Sequence, residues 1–290
     1  GGLHLDGLAD SADAWAGGFG DRERSLAIMQ DPRSGPIAVV VLVLVLLPLT
    51  AQADGELTFC YEDKDSYPWV MTNHTGLNLE LLALVAAANQ LQIRYVAVPW
   101  KRCLAGLARG RYDGAFASSF KAERLSMGRY PTDSDGRLDE SKRLHTSVYA
   151  LYRRRDSAVG WNGKEFRQLT GAIGSLSGFS ISDFLRSHGA TVDESSRDPL
   201  ALLRMLKEQR VDAVALQRLR ADFVLQSHPA LALDIERAEL PLEEKAYYLM
   251  LSNAFCQAEP EKAQRLWAEI ERQRESSAYQ ARITAFLARP

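Results

Sequence analysis

The sequence predicts an α/β protein built as two sheet-based lobes with a cleft between them, preceded by an apolar N-terminal segment. Three observations predict it. From residue 54 onward, short runs rich in β-branched and aromatic residues alternate with stretches of helical periodicity. That alternation runs through once and then begins again. Everything before residue 54 has a different character, ending in an unbroken aliphatic run. Alternating strands and helices argue for mostly parallel sheets with helices on their faces.

In the first lobe, residues 57–61 (LTFCY) read as a strand. Gly76 then precedes a helix whose Leu79, Leu82, Val85 and Ala86 share a face. Residues 93–98 alternate and end at Pro99-Trp100, and the next helix carries Leu104, Leu107 and Ala108 before Gly110 stops it in the C′ position. Residues 112–117 form the third strand. The segment 133–141 (DSDGRLDES) is a charged, solvated loop.

Residues 145–152 read as extended and cross into the second lobe. There, 172–175 is a strand, and Ser180 with Asp183 three residues on forms a capping-box pattern at a helix start. Residues 191–192 are extended. Asp198-Pro199 puts an N-cap before proline at the first helical position and opens a helix with Leu200, Leu203 and Leu206. Residues 211–216 are a buried strand, and 246–252 a strand returning to the first lobe. Two helices close the chain, one on Ala263, Leu266, Trp267 and Ile270, the other on Tyr279, Ile283, Phe286 and Leu287. The implied organisation is 54–148 for the first lobe, 149–245 for the second and 246–290 for a return segment.

The 290 residues are 46% hydrophobic and 25% charged with a net charge of -2, an ordinary globular composition that lacks the basic face nucleic-acid binding needs. Five histidines are scattered without metal-ligand spacing, so no metal or cofactor is expected. No P-loop, nucleophile elbow or Cys-His signature is present; Ser175 in 174–178 (GSLSG) precedes the central position an elbow requires.

The run 37–47 (IAVVVLVLVLL) is shorter than the roughly 20 apolar residues of a membrane-spanning helix and fits the core of a secretory signal. Ala51-Gln52-Ala53 supplies a cleavage site that makes Asp54 the mature N-terminus, with Met29 as the signal's start. With only Arg33 against Asp31 ahead of the run, an uncleaved anchor stays open, so 29–53 is a signal peptide or membrane anchor. Upstream, Asp6, Asp10 and Asp13 are spaced as a Mg2+-diphosphate site would need. Residues 1–47, with the motif DGLADSADA, resemble an internal piece of cobalamin-5'-phosphate synthase (adenosylcobinamide-GDP ribazoletransferase), a polytopic membrane enzyme. No further long apolar segment follows Leu47. Residues 1–28 are therefore expected to be a fusion remnant without transferase activity.

The body resembles the family 3 extracellular solute-binding proteins of ABC importers. The resemblance is carried by Gly55-Glu56-Leu57, the Tyr67-Pro68-Trp69 loop, Gly76-Leu77-Asn78-Leu79-Glu80, Val98-Pro99-Trp100, then Leu107, Gly110, Asp113 and Gly114, and finally Arg210-Val211-Asp212-Ala213. It implies the type II periplasmic-binding-protein-like fold, with hinge strands near 147–150 and 245–248. It also implies a monomer in the periplasm that binds a small polar solute, amino-acid-like or carboxylate-bearing, and passes it to an ABC permease in the inner membrane.

The same resemblance assigns the site. Arg124 clamps a ligand carboxylate, a role suited to a guanidinium fork that cannot lose its charge. Ser118 and Ser119 add hydroxyls. Ser177 and Ser180 lie at a helix N-terminus whose free N–H groups favour an anion. Tyr67 and Trp69 supply pocket walls, and Trp100 packs at the sheet end. Gln217 stands where amino-acid binders of the family carry an aspartate for the α-ammonium; either Glu62 or Asp63 replaces that acid, or the ligand is not a standard α-amino acid. Cys60 ends the first strand and Cys103 opens the helix after the second, so they are neighbours able to form a disulfide in an exported chain, or else two buried thiols. Cys256 is left unpaired. No catalytic residue is expected, with two readings held open: a dehydratase-like enzyme on the same fold, using Glu62 and Lys121 as its acid/base pair, and a tethered sensory binding domain.

Overall fold

The computed structural model describes Ser11, Ala14, Trp15, Gly17, residues 21–29 and residues 56–288, in two units that divide after Gly55. Asp6, Asp10, Asp13, the apolar run 37–47 and the 51–53 cleavage site lie outside the described residues. In the first unit, helix α1 (Arg22–Met29) is N-capped by the Asp21 carboxylate, which accepts from Glu23 N at 2.9 Å and Arg24 N at 3.3 Å. Among the described residues no helix is long and apolar enough to cross a membrane.

The second unit opens with β1 (Leu57–Glu62), α2 (Leu77–Ala88), β2 (Ile93–Val98), α3 (Trp100–Ala108), β3 (Gly114–Ser119) and the two-residue β4 (Gly128–Arg129). β1 pairs in parallel with β2 on one side and β3 on the other. The long strand β5 (His145–Arg154) leads out, followed by the small hairpin β6 (Gly160–Trp161) and β7 (Phe166–Arg167). Then come β8 (Ile173–Gly174), α4 (Ile181–Ser187), β9 (Val192–Asp193), α5 (Pro199–Lys207), β10 (Ala213–Gln217), α6 (Arg218–Ser227) and α7 (Pro229–Ala232). An 18-residue strand, β11 (Ile235–Ser252), returns, and α8 (Asn253–Ala258), α9 (Pro260–Arg274) and α10 (Ser277–Leu287) finish the chain.

The main sheet runs β2-β1-β3-β11-β5-β10-β8-β9. Its ends are parallel, as alternation predicted, but its centre is not: β11 is antiparallel to both β3 and β5, and β5 to β10. The expected boundaries at 148/149 and 245/246 fall inside β5 and β11. On one side of these strands the cores include Phe59, Leu81, Phe116 and Trp267, and, on the other face of the sheet, Cys60, Cys103, Tyr248 and Met250. Beyond them, β10 sends Ala213 and Ala215 to one core and Val214 and Leu216 to another, the two-residue period of a strand buried on both faces.

Several local expectations are corrected. The strand expected at 246–252 begins at Ile235, because Pro241 sits between two register irregularities that let the chain stay extended without an unbroken ladder. α2 buries Leu77, Asn78, Leu81, Leu82 and Val85, a stripe turned from the expected one so that the Asn78 side chain reaches His145 at 2.9 Å. Leu287 is 51% exposed, at the edge of the closing helix. Ser180 does not cap α4 through its side chain, since its hydroxyl is engaged elsewhere. Asp198 does cap α5, accepting from Leu200 N at 3.0 Å ahead of Pro199. Gly76 (φ 129°) is required: a Cβ there would meet the Trp69 carbonyl oxygen at 2.5 Å, so only glycine brings the 66–70 loop onto α2.

Cys60 and Cys103 form a disulfide that ties β1 to α3 across 43 residues, and Cys256 is free. Closing a loop of that length restricts the unfolded chain and contributes about 2–4 kcal/mol. Replacing both with serine is expected to lower the unfolding free energy by about that amount. Urea midpoints under oxidising conditions check this, and a reductant should then shift the parent but not the double variant.

Candidate functional site

A cavity of about 500 Å³, open mouth included, lies between the lobes where β1, β3 and β10 end. Glu62 closes β1, Ser119 closes β3 and Gln217 closes β10, the carboxyl ends at which open α/β sheets bind ligands. The first lobe adds Tyr61, Trp100 and Arg124 to the lining, the second adds Phe179, Ser180 and Arg220, and the crossing strands add His145 and Tyr247.

Ala117 adopts a left-handed conformation (φ 56°) at a bulge between β3 and β11, where the register slips between Tyr248 and Met250. A bulge re-aims the residues after it, and Ser119 is left facing the cavity. A short 3-10 turn, Ala122–Ser126, then folds Arg124 back under the strand end. Its guanidinium is 2% exposed. Nη1 donates to the Ser119 carbonyl oxygen at 2.6 Å and Nη2 donates across the cleft to that of Gly178 at 3.0 Å. The Trp100 ring lies 5.4 Å from its Cζ, and Nε has no hydrogen-bond partner among the described residues.

From the second lobe, Arg220 in the first turn of α6 is also 2% exposed. Nη1 makes one long bond to Gln217 Oε1 at 3.4 Å, while Nε and Nη2 have no partner among the described residues. Gln217 in turn donates to the Tyr247 hydroxyl at 2.9 Å, which bonds Tyr149 at 2.7 Å. His145 stacks between Trp69 and Tyr247 at 4.0 and 4.9 Å, and its complete burial holds its pKa well below the usual value, keeping the ring neutral.

Glu62 is the acid of the cavity. One oxygen accepts from Trp100 N at 2.7 Å. Burial first, then a hydrogen bond with Asp63, raises its pKa to about 7; the Trp100 N–H and the field of Arg220 pull the other way without prevailing. Burial likewise lowers the pKa of Arg220 against the field of Glu62. Desolvation therefore outweighs mutual attraction for both groups. Arg197, from the loop before α5, approaches Asp63 at 3.2 Å and Glu62 at 3.8 Å across the cleft.

Of the residues assigned from sequence, the structure gathers Glu62, Ser119, Arg124, Ser180 and Gln217 around one cavity. Ser119 and Ser180 meet hydroxyl to hydroxyl at 2.8 Å across the cleft. Ser118 points to the other face of β3, as strand alternation requires, and bonds the Tyr130 hydroxyl at 2.8 Å. Ser177 does not line the cavity: its N–H donates to Ser196 O, and the neighbouring Gly178 N–H donates to the Glu194 carboxylate at 3.2 Å. An internal carboxylate thus takes the anion seat expected at that helix start. Burial opposes ionisation of Glu194, yet its bonds to Arg186, Ser182 and Gly178 hold its pKa low. Trp100 lines the cavity, whereas Tyr67, stacked on Phe223 of the opposite lobe at 4.5 Å, and Trp69, stacked on His145, line a second cavity that shares Gln217 and Arg220 with the first. Lys121 is paired with Glu123 at 2.7 Å and, across the cleft, with Asp183 at 3.0 Å, so it does not stand beside Glu62 as an acid/base partner. Arg220 escaped the sequence reading. Its signal was a cation in the first turn of a helix with no acid there, placed against the helix dipole. Among the described residues no group of His, Cys, Asp and Glu could hold a metal ion.

Known proteins resemble the chain in two ways. The cobalamin-5-phosphate synthase family model matches residues 1–59. An adenosylcobinamide-GDP ribazoletransferase of Pseudomonas fluorescens is 89% identical over 47 residues, 16% of this chain and 19% of that protein. The Pseudomonas entomophila protein of the same name is 54% identical over 103 residues, 35% of this chain and 36% of that one. The chain thus spans about a third or less of the curated relatives it matches. The body is similar to the GluR0 ligand-binding core of Nostoc punctiforme in complex with L-glutamate (TM-score 0.63, 14% identity, 80% of this chain and 100% of that one). It is similar also to a histidine kinase sensor domain with similarity to periplasmic binding proteins (TM-score 0.66, 15% identity, 80% and 96%). A third is an ancestral arginine-binding protein bound to arginine (TM-score 0.63, 14% identity, 82% and 100%). The fold is the two-lobed, periplasmic-binding-protein-like one read from the sequence.

Glu62 gives the fold a pH dependence. Its folded pKa near 7 lies above the ordinary 4.5, so the folded state holds the extra proton between those values. The stability this proton represents is complete below about 4.5 and lost as pH rises through about 7. His145, buried neutral, acts oppositely, destabilising the fold as acid charges the unfolded ring. Between pH 5 and 8, Glu62→Gln should therefore gain about 1–2 kcal/mol on the parent, solvent screening allowed for, in denaturant melts at each pH.

Proposed function

We propose that residues 56–288 form a solute receptor that encloses a small polar, carboxylate-bearing molecule between its lobes by hinge closure, and that presents it to an ABC permease of the inner membrane. The observation that carries this reading is Arg124, which lines the cavity, is buried at the lobe junction and has an Nε without a hydrogen-bond partner among the described residues. A guanidinium cannot shed its charge and buries poorly without an anion, so the site is built for one. Ser119 and Ser180 lie at the same spot with hydroxyls to share. The neighbours of known structure, whose descriptions name glutamate and arginine as ligands, support a binding rather than a catalytic role. The Cys60–Cys103 disulfide supports an oxidising compartment such as the periplasm. The likeness to a kinase sensor domain supports a second reading, in which the same receptor stays tethered and signals.

Calorimetry with carboxylate-bearing solutes tests the binding reading. Arg124→Ala is expected to weaken binding by about 30-fold or more, the cost of removing a buried charged partner. A variant that binds as the parent does removes Arg124 from the site. N-terminal sequencing of exported protein separates the soluble receptor, which starts at Asp54, from the tethered sensor, which keeps the 37–47 run.

A further inference from the structure

The cavity carries more positive charge than one carboxylate can satisfy. Lys64, Arg124 and Arg220 line it against a single acid, Glu62, and the neutral His145 adds nothing. The two guanidiniums come from opposite lobes and are equally buried, and between them three nitrogens (Arg124 Nε, Arg220 Nε and Nη2) lack any partner among the described residues. Of the nearby carboxylates, Asp63 is held by Arg197, Asp183 by Lys121, and Asp65 accepts from Thr72 N, so that Arg220 feels Glu62 and Asp65 as fields without a direct bond to either. Gln217, at the position where an acid would grip an ammonium, turns its amide oxygen toward Arg220 and its nitrogen toward the Tyr247 hydroxyl. The first turn of α6 adds its own positive end behind Arg220 and holds no acid to offset it. Each guanidinium lies near an aromatic ring, with Trp100 5.4 Å from the Cζ of Arg124 and Phe179 5.6 Å from that of Arg220.

We propose that the solute is a dicarboxylate, one carboxylate seated on Arg124 with Ser119 and Ser180 and the other on Arg220. This rests on the solute-receptor reading and specifies its ligand class. Arg220 then acts as a specificity-determining residue that separates dianions from monoanions and zwitterions. A solute carboxylate would complete the counter-charge that Glu62 and Asp65 supply to Arg220 only in part.

Titration of the purified protein with succinate, glutarate and adipate, with butyrate as monoanion and glycine and glutamine as zwitterions, tests this. At least one dicarboxylate should bind about a hundredfold more tightly than butyrate or either zwitterion. Arg220→Gln should bring that dicarboxylate down to the butyrate level, while Arg124→Ala abolishes binding of both. If a zwitterion or butyrate binds more tightly than every dicarboxylate and Arg220→Gln leaves it unchanged, the dianion inference fails and the solute-receptor reading stands. If no probe binds, both fail. Melting temperature without solute provides a second readout. Arg220→Met removes a buried charge that is only partly compensated and should keep or raise the melting temperature measured without solute while losing the dicarboxylate-induced rise. A lower melting temperature would make Arg220 a structural strut and overturn the assignment.

Discussion

The molecule is organised around a charge it cannot neutralise. Arg124 reaches the lobe junction from a turn beyond β3 and is held by backbone carbonyls from both sides, Ser119 and Gly178. Carbonyl oxygens bind a cation without cancelling its charge, so the field remains available to something else. The bulge at Ala117, the 3-10 turn and the Trp100 ring all position this one group. Removing an ion from water costs several kcal/mol even after relaxation. Two hydrogen bonds to carbonyls recover part of that, and under the proposed reading a bound anion supplies the remainder.

The paired strands β5 and β11 make such a junction possible. They run antiparallel side by side, with β3 beyond one and β10 beyond the other. A cavity at their flank is therefore assembled from residues far apart in sequence yet fixed relative to a common backbone. His145 at the start of β5 and Tyr247 near the end of β11 stack on each other, and Trp69 extends the stack. This column of rings joins the crossing strands to the loop that Gly76 draws onto α2.

Much of this was legible in the sequence. Strand and helix alternation gave the lobes, Asp198-Pro199 gave a helix start, and the order of motifs led to Arg124, Ser119, Ser180 and Gln217. What was not legible has definite causes. Ser118 and Ser119 are chemically alike, and only strand phase decides which one faces the cleft. Ser180 satisfies a capping pattern, yet its hydroxyl bonds Ser119 from the other lobe, a partner no local window contains. Trp69 and Trp100 are equally apolar; their places depend on which side of the sheet edge each loop turns toward. The start of β11 was missed because Pro241 and the charged run around it disguise an extended segment.

The contacts that bridge the mouth of the cleft have an effect distinct from those inside it. Lys121 with Asp183, Arg197 with Asp63, and the Tyr67 ring on Phe223 join the halves without lining up on a solute. They reward the shut arrangement whether or not it is filled. Under the proposed hinge closure their strength would set how often the protein closes without solute, and apparent affinity would scale with that fraction. Under the proposed receptor reading, evolution could thus retune how tightly a solute is retained by changing residues on the outer rim, leaving chemical selectivity untouched.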